Sequence, residues 1–182
     1  MQNRERMEKF LESIEGRAYR MAYAACGHRE DALDMVQDAM FRFVDKYAKR
    51  PREEWRPLFY RILQNRITDN HRRRAVRDRW NGFLGAFRDS DGEAQADPFQ
   101  SAPDNDGRTP EQAAQVGTAF KALQTALQEL PIRQRQVFML RAWEELSIKE
   151  AALAMNCSEG SVKTHYSRAV KALRDRLGDH WP

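Results

Sequence analysis

The chain is poor in the residues that build covalent or metal-bound frameworks. Its 182 residues include two cysteines. Cys26 and Cys157 lie far apart and outside any CxxC or Cys/His ligand spacing, so neither a disulfide scaffold nor a zinc site is expected, and buried thiols are the reading of both. The four histidines are scattered. No apolar run approaches the roughly 20 residues that span a bilayer. The start, MQNRERMEKF, lacks the apolar core of a signal peptide, so a cytoplasmic location without membrane insertion is expected. Strand-like alternation, repeats and coiled-coil heptads are missing as well. So are a Gly-rich phosphate loop, an HExxH and a nucleophile elbow. The pairs Glu53-Glu54 and Glu144-Glu145 read as surface charge, and no acidic cluster accompanies a basic run as a nuclease metal site requires. No catalytic residue, metal or cofactor is therefore expected, and the chain reads as no enzyme.

What the sequence has is charge and helical periodicity. Charged residues make up 32% of the chain, the net charge is +4 and the mean hydropathy is −0.82. The charge is unevenly spread: residues 1–79 carry 19 basic against 13 acidic side chains, residues 80–112 carry 2 against 7, and residues 113–182 carry 10 against 7. Two basic units flank an acidic connector. The expected architecture is all-α: a first helical domain over 1–87, a flexible acidic linker over 88–108 rich in Asp, Gly, Ser, Pro and Asn, and a second helical domain over 109–182.

Apolar spacing predicts a first helix from about Arg4 to Ala25, stopped by Cys26-Gly27-His28. A second runs from about Glu30 to Tyr47, with Leu33, Val36, Met40, Phe43, Val44 and Tyr47 as its buried stripe. Another face holds Asp34, Gln37, Asp38, Phe41 and Asp45. A large aromatic among carboxylates fits either a solvated acidic face or a docking surface for a protein. Ala48 to Arg56 reads as a loop, with Pro57 in the first turn of a third helix from Leu58 to about Arg79. That helix ends in Arg72, Arg73, Arg74, Arg77 and Arg79, which either are solvated or neutralise phosphates. Trp55 and Tyr60 are either core aromatics or platforms for unpaired bases. After the connector, Thr109-Pro110-Glu111-Gln112 is a capping box with Pro at the first helical position. Pro131 opens a further helix with Val137, Phe138, Leu140 and Trp143 as its apolar members.

The last stretch, Ser147 to Leu177, reads as two helices around a tight turn. Ser147 and Glu150 form a capping box, Asn156 tolerates the left-handed conformation that ends a helix, and Ser158 caps the next one. On that final helix Val162, Tyr166, Ala169, Leu173 and Leu177 form an apolar stripe. Thr164, Ser167, Arg168 and Lys171 lie opposite, flanked by Ser161 and His165. Short helix, turn, basic helix is the pattern of a helix-turn-helix DNA reader, and equally of an ordinary amphipathic pair.

Four motifs occur in one order: Asp34-Met35-Val36-Gln37-Asp38, the IxxNxxxD from Ile62 to Asp69, the LPxxxR from Leu130 to Arg135, and the terminal helix-turn-helix. In this order and in so short a chain they resemble the extracytoplasmic-function sigma factors of bacterial RNA polymerase, over nearly everything but the linker. The resemblance implies that residues 1–87 are sigma region 2 and 109–182 sigma region 4. It implies core-polymerase binding through Asp34, Gln37, Asp38 and Phe41. It implies recognition and melting of the −10 element by the Ala48–Arg56 loop and by Trp55, Tyr60, Arg61, Gln64, Asn65, Asp69, Arg72 and Arg73. It implies −35 recognition by Ser161, Lys163, Thr164, His165, Ser167, Arg168 and Lys171. Core RNA polymerase, promoter DNA and an anti-sigma protein are the implied partners, and the linker would thread the polymerase cleft unless it is a plain tether. Three positions depart from the family pattern: Leu58 stands where Trp is usual, Asn156 where the turn has Gly, and His165 where Arg is frequent. The alternative class is a stand-alone helix-turn-helix regulator whose N-terminal part senses a signal or dimerises; a nuclease is a third.

Overall fold

The computed structural model describes residues 2–83 and 110–178, and these residues form seven α-helices and one π-turn with no strand among them. The linker expected at 88–108, and Thr109, lie outside the described residues. In the first half α1 spans Gln2–Cys26, α2 spans Arg29–Tyr47 and α3 spans Arg52–Phe83. In the second, α4 spans Pro110–Glu129, α5 spans Ile132–Phe138, a π-turn covers Met139–Trp143, α6 spans Ile148–Met155 and α7 spans Glu159–Leu177.

The α1–α2 corner is sharp because Gly27 takes φ +72°, which disfavours residues with a Cβ. Its amide donates to the Tyr23 carbonyl at 2.7 Å and closes the end of α1. The helix-turn-helix forms as its caps dictate. The Ser147 hydroxyl accepts from the Glu150 amide while the Glu150 carboxylate accepts from the Ser147 amide. Asn156 stands at φ 52°, and the Ser158 hydroxyl accepts from the Ser161 amide.

Three expectations change. The third helix begins at Arg52, so the loop shrinks to Ala48–Pro51 and Pro57 lies inside the helix. Glu53 and Glu54 in the first turn favour this earlier start through the helix dipole. Trp55, drawn into the helix, is buried and donates its Nε1 to the Arg50 carbonyl at 2.8 Å. On α2 the buried side is Ala32, Met35, Val36, Ala39 and Phe43, whereas Leu33 and Val44 are exposed. The small residues Ala32 and Ala39 let α2 lie close to its neighbours, which rotates the larger apolar residues outward. Finally, Glu144 is buried at 2% exposure and is not surface charge, and Cys157 is only half-buried.

The first half is held by an aromatic cluster. Phe10 lies 5.5 Å from both Phe43 and Trp55, Phe43 lies 5.9 Å edge-on to Phe59, and Phe59 lies 5.4 Å edge-on to Tyr60. Edge-on and tilted pairs at these spacings add to the area they bury. The second half packs Leu127, Leu130, Val137, Met139, Leu140 and Leu146 against Val162, Ala169, Leu173 and Leu177 of α7. The apolar stripe expected on α7 is thus its core face, with Tyr166 half-buried at its edge.

The halves touch: α4 packs on α1, and α6 packs on α3. This seam is rich in polar pairs. Arg135 donates to the Ala25 carbonyl at 3.2 Å, and Gln136 donates to the Thr68 hydroxyl at 2.8 Å. Arg56 donates to the Glu144 carbonyl and lies 3.5 Å from its carboxylate. Phe43 is fully buried at the centre of the aromatic cluster, so Phe43→Ala should lower stability by about 3–5 kcal/mol. Urea unfolding followed by circular dichroism measures it; a loss of less than about 1 kcal/mol would mean that the cluster does not organise this half.

Candidate nucleic-acid and partner-docking surfaces

Three surfaces carry the residues singled out by sequence. The first is the outer face of α2. Asp34 and Gln37 are exposed and Phe41 is 78% exposed, with Leu33 and Val44 on the same side. At 100° per residue, positions 33, 37, 41 and 44 fall on one stripe, with 34, 38 and 45 beside it. The result is an apolar strip edged by carboxylates. Asp38 is half-buried at that edge, where it pairs with Arg42 at 2.8 Å and with Arg66 of α3. A groove of about 480 Å³ runs between this face and α3, lined by Asp34, Gln37, Phe41, Asp69 and Arg73 among others. The structure therefore gathers the four residues expected to dock and adds Leu33 and Val44, which periodicity had placed in the core.

The second surface is α3. Asn65, Arg72 and Arg73 are exposed; Arg61 and Asp69 are half-buried. Arg61, Asn65, Asp69 and Arg72 line a cleft of about 550 Å³ together with Arg42, Lys46 and Arg66, so basic groups dominate its wall. The opposite wall belongs to the second half: Ile132, Arg133 and Gln136. Three members of the expected set are not on this surface. Trp55 and Tyr60 are in the aromatic core, and Gln64 is 1% exposed with its amide donating to the Met21 sulfur at 3.1 Å. Leu58 is buried as well. As placed, none of these offers a face on which a base could stack.

Tyr60 is distinctive because its environment spans both halves. Burial pushes its hydroxyl pKa up, and the Glu144 carboxylate beside it pushes further, so the phenol stays a neutral donor. Glu144 reaches this position through the π-turn. The Glu144 amide bonds to the Met139 carbonyl five residues back at 3.2 Å, a wider loop than an α-turn. No local pattern in the sequence marks such a turn.

The third surface is α7. Lys163, Thr164, Ser167, Arg168 and Lys171 are exposed, and Ser161 and His165 are half-buried at the flank. The Thr164 hydroxyl is engaged with the Gly160 carbonyl at 3.0 Å, and the Ser161 hydroxyl with Ser158 at 2.9 Å. His165 turns its Nδ1 inward, where it is buried without a hydrogen-bond partner. The charged members Lys163, Arg168 and Lys171, with the exposed Ser167, are therefore the ones left to reach outward. Among the described residues no group of His, Cys, Asp or Glu is arranged to hold a metal ion, and no helix is long and apolar enough to cross a membrane.

With this geometry in place, comparison with known proteins becomes specific. Residues 10–77 match the family model of sigma-70 region 2, and residues 120–173 match that of sigma-70 region 4. The chain is 31% identical over 167 residues to the ECF RNA polymerase sigma factor SigE of Mycolicibacterium smegmatis, covering 90% of this chain but only 58% of that protein. It is 27% identical over 164 residues to the RNA polymerase sigma factor SigV of Bacillus subtilis, covering 87% of this chain and 83% of the relative. Two solved structures share the fold. One is the sigma factor RpoE of Bartonella quintana in complex with the anti-sigma factor NepR, with TM-score 0.60, 21% identity, and 93% and 97% of the two chains covered. The other is CnrH in complex with the cytosolic domain of CnrY, with TM-score 0.62, 19% identity, and 97% and 90% covered. Region 2 matches the very residues that a stand-alone regulator would need for sensing or dimerisation, so that alternative is not favoured. The chain belongs to the extracytoplasmic-function sigma factors.

One titration tests the helix-turn-helix directly. Burial alone would raise the Glu150 pKa, but the hydrogen bonds from Ser147, with Arg56 and Arg141 nearby, hold it below the ordinary carboxylate value. A depressed folded pKa stabilises at pH above the unfolded value, about 4.3, and that contribution is lost as pH falls through the folded one. Glu150→Gln should therefore weaken the fold at neutral pH and show a shallower acid-side loss than the parent. Thermal melts followed by circular dichroism over the acid range measure it, and parallel acid limbs would sink the assignment.

Proposed function

We propose that this chain binds core RNA polymerase and directs promoter-specific initiation through two DNA readers, performing no chemistry itself. The observation that carries the reading is the outer face of α2. Phe41 stands exposed there between Leu33 and Val44, rimmed by Asp34, Gln37 and Asp38. An apolar strip edged with acid suits a protein surface that offers apolar contacts and a basic rim. The residues 1–87, 88–108 and 109–182 serve as region 2, linker and region 4.

The −10 element is read by the exposed side of α3. Arg61, Arg72 and Arg73 hold phosphates, while Asn65 and Asp69 offer polar groups to bases that leave the stack. Trp55, Tyr60 and Gln64 shape this helix from beneath. The −35 element is read in the duplex major groove by α7, with Lys163, Arg168 and Lys171 as the charged contacts and Ser161, Thr164, His165 and Ser167 around them. Such a factor works in the cytoplasm. An anti-sigma protein is an expected partner, since one structural neighbour was solved with an anti-sigma factor bound and the other with the cytosolic domain of a second protein.

Run-off transcription with core polymerase, with and without the chain, tests the reading as a whole. Promoter-specific transcripts should appear only with it; transcripts independent of the chain would overturn the proposal. Charge reversal by Asp38→Lys should weaken polymerase binding while helicity is retained, and unchanged affinity would remove the α2 face from the interface. Arg168→Ala should reduce use of a −35-dependent promoter by about 1–3 kcal/mol if it reads a base. An equal loss on every DNA sequence would make it a phosphate anchor instead.

A further inference from the structure

Buried charges in folded proteins are normally paired, because taking an ion out of water is costly. Two guanidiniums near the end of α1 fall short of that rule. Arg135 of α5 is 2% exposed. Its two terminal nitrogens donate to the Ala25, Gln128 and Leu130 carbonyls, but its Nε is buried with no acceptor. Carbonyls offer only partial charge, and burial pulls the Arg135 pKa down with no opposing carboxylate among the described residues. Arg74 of α3 donates to the Cys26 carbonyl at 2.6 Å and pairs with Asp31 at 3.3 Å, yet its Nε is likewise buried without an acceptor. A buried donor left over in a folded chain calls for an explanation, and an ion that fills the gap is one.

The two arginines line one cavity of about 230 Å³, and Cys26, Asn70, His71 and Gln128 share its wall. No Asp or Glu lines it. In the larger cleft of about 550 Å³ beside α3, by contrast, Asp69 stands in the wall. Burial raises the pKa of the Cys26 thiol, so Cys26 brings no negative charge. Burial and the nearby Arg135 charge lower the pKa of His71, so His71 is a neutral group able to donate one hydrogen bond. The cavity therefore holds two cations and several polar groups and lacks an anion. A tetrahedral oxyanion brings negative charge and several acceptor oxygens, and guanidinium forks match its geometry. Size narrows the choice further. Pockets for drug-sized molecules begin at roughly 300 Å³, so a free phosphate or sulfate suits this cavity and a nucleotide does not.

We propose that the cavity framed by Arg74 and Arg135 is a binding site for one small divalent oxyanion of the phosphate or sulfate type. The ion gives Arg135 the counter-charge that its carbonyl partners do not, and by binding the folded chain it stabilises it. None of the cavity's residues belongs to the α2 docking set or to the DNA-reading sets of α3 and α7, so the site does not rest on the reading of those surfaces.

Isothermal titration calorimetry of the full chain with sodium sulfate, at an ionic strength held constant with chloride, tests the site. The parent should take up one sulfate per chain, and inorganic phosphate should displace it. Arg74→Gln should weaken binding by about tenfold or more, the loss expected for a charged hydrogen bond. Arg74→Lys, which keeps the charge but not the fork, should weaken it less. Because Arg74 also holds the end of α1, circular dichroism checks that these variants fold. His71→Ala, which leaves the Arg74 and Arg135 contacts in place, should weaken binding as well. Arg72→Gln, on the neighbouring cleft, should leave it unchanged. Millimolar sulfate should raise the melting temperature of the parent to a plateau and not that of Arg74→Gln, whereas a general salting effect would raise both alike. No uptake by the parent, equal uptake by a folded Arg74→Gln variant, or uptake that Arg72→Gln removes would overturn the site. Uridine 5′-monophosphate tests the source of the phosphate group: it should compete poorly, and competition as strong as that of inorganic phosphate would overturn the assignment to a free ion.

Discussion

A guanidinium buried between helix ends is the constraint on which this structure depends. Arg135 is 2% exposed and has no carboxylate beside it among the described residues. Its donors go to carbonyls instead: Gln128 at 2.6 Å and Leu130 at 3.3 Å at the end of α4, and Ala25 at 3.2 Å at the end of α1. The last carbonyls of a helix have no partner within it and carry the negative end of its dipole. One cation thus satisfies the ends of two helices from different halves. Burial pulls the Arg135 pKa below its usual value, but a guanidinium remains charged through the physiological range. Arg74 does the same work one step away, donating to the Cys26 carbonyl at 2.6 Å and pairing with Asp31 at 3.3 Å.

What was legible in the sequence was what local chemistry fixes. Ser147, Glu150, Asn156 and Ser158 each act within four residues of their own position, and each did what its type predicts. The stripe from Val162 to Leu177 was legible for the same reason, since helix periodicity is a property of neighbours. The α2 stripe was misread where periodicity meets size. Leu33 and Val44 are apolar, but alanines at 32 and 39 allow closer packing, and the helix turned to bury them. Trp55 went to the core because α3 starts at Arg52, a start favoured by acids at 53 and 54 that had been read as loop charge.

The seam was illegible for a different reason. Arg56 and Glu144 are 88 residues apart, and the second reaches the first only through a π-turn. Nothing in EELS announces a buried carboxylate, and in isolation its two glutamates look alike. The structure separates them: Glu144 is buried at the seam, while Glu145 is exposed with φ 51°. Spacing rules carry no information about which of two adjacent acids meets a cation on another helix.

The distribution of charge now has a structural reading. Part of the first half's basic excess is concentrated in one place, although Arg4, Arg6, Lys9, Arg17 and Arg20 on α1 are exposed elsewhere. Arg42, Lys46, Arg61, Arg66 and Arg72 converge on one cleft, with Arg133 facing them from the other half. Like charges gathered in this way repel one another, and among the described residues Asp38 and Asp69 pair with Arg42 and Arg66 there. A polyanion entering the cleft would relieve that repulsion and release its own counterions. Asp38 couples this cleft to the α2 face. Its carboxylate holds Arg42 and Arg66 while its helix neighbours Asp34, Gln37 and Phe41 face outward. A partner that recruited Asp38 would loosen Arg66 and leave more unpaired positive charge over α3. On the proposed reading, docking on one face and affinity for a polyanion on the next would thereby be linked through a single side chain.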